Sequence, residues 1–159
     1  MIKRLLAIFA ATLFLASFSL PGDAHAQRNA GSLGIGLGST TMASGLSVKQ
    51  FAGPTAIQLT AGCWRSCDGL AMSLDLLFNM PALASADILT LAWNFGAGGA
   101  AGAGEDGIGI GAAFVLGLEA NFRPLPIDFV LEWRPGIEVI PDPDINLIDF
   151  GAHIRFYIR

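Results

Sequence analysis

Charge is what this sequence has least of. Only 14% of its residues are Asp, Glu, Lys or Arg, against 53% hydrophobic, whereas a soluble domain is roughly one quarter charged. Bases are the scarcer sign, 9 against 13 acids. Such a chain lacks the basic stripe that nucleic acid requires, so no nucleic-acid partner is expected. No helical period of useful length occurs, which removes all-α and α/β architectures. After residue 26 no apolar run reaches the ~18 residues of a transmembrane helix. Histidine occurs twice, at His25 and His153, too sparsely for a metal centre built on imidazole. No metal and no cofactor are expected.

What is present begins with MIKRLLAIFAATLFLASFSLPGDAHAQ. Lys3 and Arg4 give a basic start, Leu5 to Leu20 an apolar run, Pro21-Gly22 a break, and Ala24-His25-Ala26 a small-residue cleavage site. Residues 1–26 read as a secretory signal peptide. Residues 27–159 are then one exported domain of 133 residues (159 less 26),. Removing Lys3, Arg4 and Asp23 takes the formal charge from −4 to −5. In an oxidising compartment Cys63 and Cys67 are expected to form a disulfide across a hairpin tip. Two thiols with no nearby His are too few ligands for a closed zinc site.

Period two dominates the mature chain. In GIGIGAAFVLGLEANF, Ile108, Ile110, Phe114, Leu116, Leu118 and Phe122 share one parity, while Gly109, Gly111, Gly117 and Glu119 share the other. IDFVLEWRPGIEV and DFGAHIRFYIR repeat the alternation. This is a strand pattern with one greasy face and one small or charged face. Further strands are expected over Leu33–Gly38, Gly45–Phe51, Thr55–Trp64, Leu70–Phe78 and Ile88–Gly96. Residues 97–106 read as a Gly/Ala loop, and Pro135-Gly136 interrupts strand seven. The total is eight strands, antiparallel by their short connections. A greasy outer face, a polar inner face and strands of roughly 9–11 residues describe an all-β, up-and-down transmembrane barrel.

The aromatics sort toward strand ends. Phe78, Phe122, Phe129 and Phe156 are expected at one rim and Trp64, Trp93 and Phe95 at the other, as two interfacial girdles. Asp75, Glu119, Asp128, Glu132, Arg134, Asp149, His153 and Arg155 all have inward parity, with Lys49. Eight strands leave room only for side chains, so these groups are expected to pair as a polar network that fills the lumen.

The block from Gly107 onward resembles the small eight-stranded outer-membrane barrels of the OmpA transmembrane-domain and OmpX type. It is similar, more narrowly, to short barrel proteins of unknown function from spirochaetes and other Gram-negative bacteria. GIGIGAAFVLGLEANF, PLPIDFVLEWRPGIEV and DFGAHIRFYIR carry the likeness over about the last 50 residues. It implies the bacterial outer membrane as location, with outer-membrane lipid and the barrel-assembly machinery as partners of a monomer. The family usually ends in an aromatic residue; this chain ends in Arg159.

Three constellations with chemical overtones fail on context. Gly102 to Gly107 matches G-x-G-x-x-G, but a strand follows instead of a helix. Asp142, Asp144 and Asn146 resemble the start of a calcium loop, but Pro143 and the missing sixth-position Gly oppose it. His153 has no serine two positions away, as a lipid hydrolase of the Ser/His/acid kind would suggest; Arg155 stands there. The expected function is non-catalytic: a small outer-membrane barrel with a structural or surface-interaction role. The alternatives are a narrow low-conductance channel and a soluble periplasmic lipid-binding barrel.

Overall fold

Alternating residues need partners on both edges, and the chain supplies them by closing on itself. The computed structural model describes residues 28–64, 67–105 and 107–158. The expected signal peptide, Asp106 of the expected Gly/Ala loop, and Arg159 lie outside the described residues. The strands are β1 (Leu33–Ser39), β2 (Ala43–Ala52), β3 (Thr55–Trp64), β4 (Gly69–Asn79), β5 (Ala84–Ser85), β6 (Leu89–Gly104), β7 (Gly107–Phe122), β8 (Ile127–Trp133), β9 (Gly136–Ile140), β10 (Asp144–Asn146) and β11 (Phe150–Ile158). Eight of them, β1, β2, β3, β4, β6, β7, β8 and β11, form a closed antiparallel barrel, β6 pairing with β7 and β11 returning to β1. The described residues contain no helix.

The extra pieces are additions to that wall. β9 continues β8 beyond Pro135 and remains on β7, and β10 folds back onto β9. Pro135 cannot donate to the ladder, yet its carbonyl still accepts from Phe114 N at 2.9 Å. β5 is a two-residue pairing on β6. At the β2–β3 turn Gly53 has φ +67°, a conformation that glycine adopts without steric cost.

Register fixes the barrel's shape. From Ser39 one route of paired residues runs Ala152, Leu131, Leu118 to Trp93. The other runs Ser44, Cys63, Leu70 to Ala103. The two routes reach β6 ten residues apart, and that offset is the shear. With eight strands about 4.8 Å apart and a rise of about 3.3 Å per residue, the strands tilt by about 40°. The backbone wall then has a radius of about 8 Å, which side chains can fill.

Three expectations need correction. β6 does not stop at Gly96; it continues to Gly104 through the supposed loop, paired with β4 on one side and β7 on the other. Because β6 is 16 residues long, Trp93 and Phe95 lie near its beginning, level with Phe78 instead of at the opposite rim. The rings of Phe78 and Phe95 stack with centroids 5.5 Å apart. Trp64 belongs to neither girdle. It turns into the barrel and is 3% exposed, packed with Met42, Ala43 and Ala71. Glycine makes that seat: a Cβ on Gly102 or Gly109 would come within 2.9 or 2.8 Å of the indole.

Candidate functional site

Inward parity places Lys49, Asp75, Glu119, Asp128, Glu132, Arg134 and Arg155 inside the wall, where isolated charge is costly. The charges are joined in layers along the axis. Toward the end with the β2–β3 and β7–β8 turns, Glu119 of β7 is fully buried. It pairs with Lys49 of β2 and accepts from Asn94 Nδ2 of β6 at 2.6 Å. Arg28, from the segment before β1, enters the same end. Its Nε donates to Glu119 at 2.9 Å, and its Nη atoms donate to the carbonyls of Met80 and Trp93.

Beside it at the same end, a second layer pairs Asp128 of β8 with Arg155 of β11. Arg155 Nη2 lies 3.0 Å from Asp128 Oδ2, Tyr157 donates to the same oxygen at 2.7 Å, and Arg155 Nη1 reaches Gln58 Oε1 at 2.6 Å. Gln58 in turn donates to Glu132 at 2.9 Å, linking this layer to the third. There Arg134 bridges two strands, donating 2.8 Å to Asp75 Oδ1 and 2.6 Å to Glu132 Oε2. Each carboxylate in these layers has a cationic or amide partner, which is the condition for tolerating it in a dry interior.

His153 lies between the second and third layers. Its Nδ1 is 3.0 Å from Ser47 Oγ and its Nε2 is 3.3 Å from Glu132 Oε2. The order hydroxyl, imidazole, carboxylate is that of a hydrolase relay. The serine that the sequence did not offer near His153 comes from β2. A nucleophile must also reach its substrate. Ser47 is 0% exposed, and it lines neither of the two cavities described below. The trio acts as a buried hydrogen-bond bridge between β2, β8 and β11.

Above Arg134 the lumen is not filled. A cavity of about 180 Å³ lies between Arg134 and the loop end. Gly98, Ala100, Gly111 and Gly136 line its back wall, Met42 one side, and Glu138, Asp144 and Asp149 the other. Asp149 therefore departs from expectation. It sits at the cavity's edge, only partly buried, and its Oδ2 has no hydrogen-bond partner, although its carbonyl accepts from Arg134 N at 2.8 Å. On the outside of the same wall, Ala97, Phe114, Pro135, Ile145 and Leu147 border an apolar groove of about 480 Å³. Trp133 Nε1 donates to Leu147 O at 3.0 Å and pins the segment after β10 to the outer wall.

Sequence reasoning missed Arg28, Gln58, Asn94, Ser47 and Tyr157. The last four carry inward parity and were findable by asking which polar residues share a face with the charges. Arg28 carries no periodic signal, since it precedes the first strand. Cys63 and Cys67 are joined by a disulfide with Cα atoms 4.5 Å apart, at the β3–β4 tip. Among the described residues no group of three His, Cys, Asp or Glu is placed to hold a metal ion. Comparison with protein-family models, with curated proteins and with solved structures found no match. The geometry alone therefore identifies the chain as a closed eight-stranded antiparallel β-barrel with a charged interior.

Proposed function

We propose that this chain is an outer-membrane barrel with a structural or surface-interaction role, exported by its N-terminal signal and held as a monomer in lipid. One observation carries the reading: the barrel is inside-out relative to a soluble domain. On β4 the outward residues Leu70, Met72, Leu74, Leu76 and Phe78 are between 43% and 76% exposed, while Ser73 and Asp75 between them are buried. At a tilt of about 40° each residue rises about 2.5 Å, so this greasy strip is about 20 Å tall, near the ~25 Å apolar band of such barrels. Phe78, Phe95, Phe129 and Phe156 lie at its lower edge. Water would charge a heavy free-energy cost for so large a continuous apolar surface.

The filled lumen favours a sealed barrel over a channel, and its polar lining disfavours a lipid carrier, whose interior must be greasy. Fractionation tests the reading. The mature protein is expected in the detergent-soluble outer-membrane fraction, with heat-modifiable gel mobility. Recovery in the soluble periplasm without detergent would overturn it.

A further inference from the structure

The barrel's outer face is not equally greasy all the way round. On β7 every outward residue from Ile108 to Phe122 is apolar, a strip about 35 Å tall at about 2.5 Å of rise per residue. On β1 only Leu33, Ile35 and Leu37 are apolar and outward, and Ser39 follows. That strip is about 10 Å tall. On β2 the outward Leu46 and Val48 stand between Ser44 above and Gln50 below, both exposed.

Register puts this change of character at mid-height. Each step from a strand to its partner shifts the level by about 3 Å at this tilt. From Ser39 the path through Ser44 and Cys63 climbs to Leu70, and Leu74, four residues down β4, is level with Ser39 again. The path through Ala152 and Leu131 descends to Leu118, and Phe114, four residues up β7, is level too. Leu74 and Phe114 are 56% and 44% exposed, with apolar outward neighbours above and below. At the same height Ser39 and Ser44 face each other across β1–β2, Ser44 Oγ donating to Ser39 Oγ at 3.2 Å.

Two further features lie just above the serines. The β1–β2 connection, residues 40–42, is irregular backbone with Thr41 exposed. β10, which stands over β11, is a sheet edge that pairs only with β9 among the described strands. Neither lipid-exposed irregular backbone nor an open edge occurs within hydrocarbon, because the polar groups would lack partners. On the opposite side β6 and β7 stay paired up to Gly104 and Gly107, about 15 Å above Ser39.

We propose that β1–β2 is a bilayer-thinning face. On this side lipid headgroups and water come down to Ser39 and Ser44, while acyl chains cover Leu74 and Phe114 at the same height. A wall whose apolar height falls short of the hydrocarbon is accommodated by thinning the bilayer beside it. Tilting the barrel does not remove the mismatch, since strips of about 10 Å and about 35 Å differ in height and not only in level. Ile145 and Leu147, 67% and 64% exposed, border the outer groove beside β10, so the dip is confined to β1–β2. The inference rests on the membrane reading above.

The test places a thiol-linked NBD fluorophore at Ser44→Cys, Leu74→Cys or Phe114→Cys, one at a time, with the native disulfide left unreduced. Each labelled mature chain is reconstituted into phosphatidylcholine vesicles, with iodide on both sides or with acyl-brominated lipid in the bilayer. Iodide should quench the Ser44 label several-fold more strongly than the other two, and brominated lipid should do the reverse. If labelled Ser44→Cys does not fold, as judged by gel mobility, Thr41→Cys in the connection replaces it. Exclusion of iodide from all three sites would mean that acyl chains or another chain cover the serines. That result would overturn the proposal and leave the membrane reading intact. Iodide reaching all three sites equally would overturn both.

Discussion

Asp128 and Arg155 face each other directly across the β8–β11 pairing, register partners whose side chains both point into the lumen, with Tyr157 donating to the same carboxylate. The pair is fully buried. Each member is therefore tolerated only because of the other, and the barrel's polar interior is best tested by removing one partner at a time.

Arg134 joins Asp75, Glu132 and Ser73. Replacing it with Met strands Asp75 and Glu132 in the interior, a change that should cost about 3–5 kcal/mol. Combining it with Asp75→Leu and Glu132→Leu should recover much of the loss, because burying no charge costs less than burying an unpaired one. Thermal or urea unfolding followed by gel mobility measures both. A single variant as stable as the parent would mean that this layer does not fill the lumen.

Arg28 closes the turn end. Arg28→Ala should leave Glu119 paired with Lys49 and Asn94, at a modest stability loss of about 1–3 kcal/mol. The parent should show no steady nanosiemens openings in planar bilayers. The variant should show small, brief events selective for cations, because the acid at that end has lost a partner. Identical silence in both would place the seal elsewhere.

The outer face has its own test. Leu131 is 50% exposed on β8. Leu131→Arg, and likewise Leu116→Arg, should cost roughly 2–4 kcal/mol if the site lies near a bilayer midplane. Gly117→Leu should fail by crowding instead: a Cβ there would lie 2.7 Å from Asn94 Oδ1. Folding yield into detergent against denaturant separates the two failures, the first depending on lipid thickness and the second not.

The disulfide at the β3–β4 tip closes a very short loop. Replacing Cys63 and Cys67 with Ala should therefore cost less than the ~3 kcal/mol expected of a 15-residue loop. Alkylation of unfolded, unreduced protein followed by mass measurement should find no free thiol.

The sequence made the wall legible because alternation is a local signal. β3 and β7 have the bounds read from it, and the parity of Leu74 against Asp75, or of Phe129 against Asp128, could be assigned without a partner in view. Two things escaped. The upper half of β6, GAGGAAGAG, has no contrast between its faces, and glycine is depleted in strands. Its glycines are explained only by what lies opposite: Gly102 makes room for Trp64, and a Cβ on Gly98 would collide with the Asp75 carboxylate. The height of each aromatic also escaped. Counting from Gly96 puts Trp93 and Phe95 at the wrong rim, because β6 runs on to Gly104. Trp64 lies at a strand tip, where a girdle is expected, but its parity, opposite to Cys63, points inward. Which charges pair is likewise a property of register, as with Gln58 reaching both Glu132 and Arg155.

The seam between β1 and β11 joins Leu33 to Ile158, and this has a consequence for how the molecule is made. Every other barrel pairing can form as a hairpin or between near neighbours, but this one must wait for the last strand. Until then two raw strand edges, β1 and β8, stay open to foreign chains. The entropy of bringing such distant segments together must be spent before closure returns anything, which makes closure slow. A nascent chain stalled before Phe150 would be an open sheet with a greasy back and two sticky margins. Until the seam closes, such a chain is at its most exposed to proteolysis and aggregation.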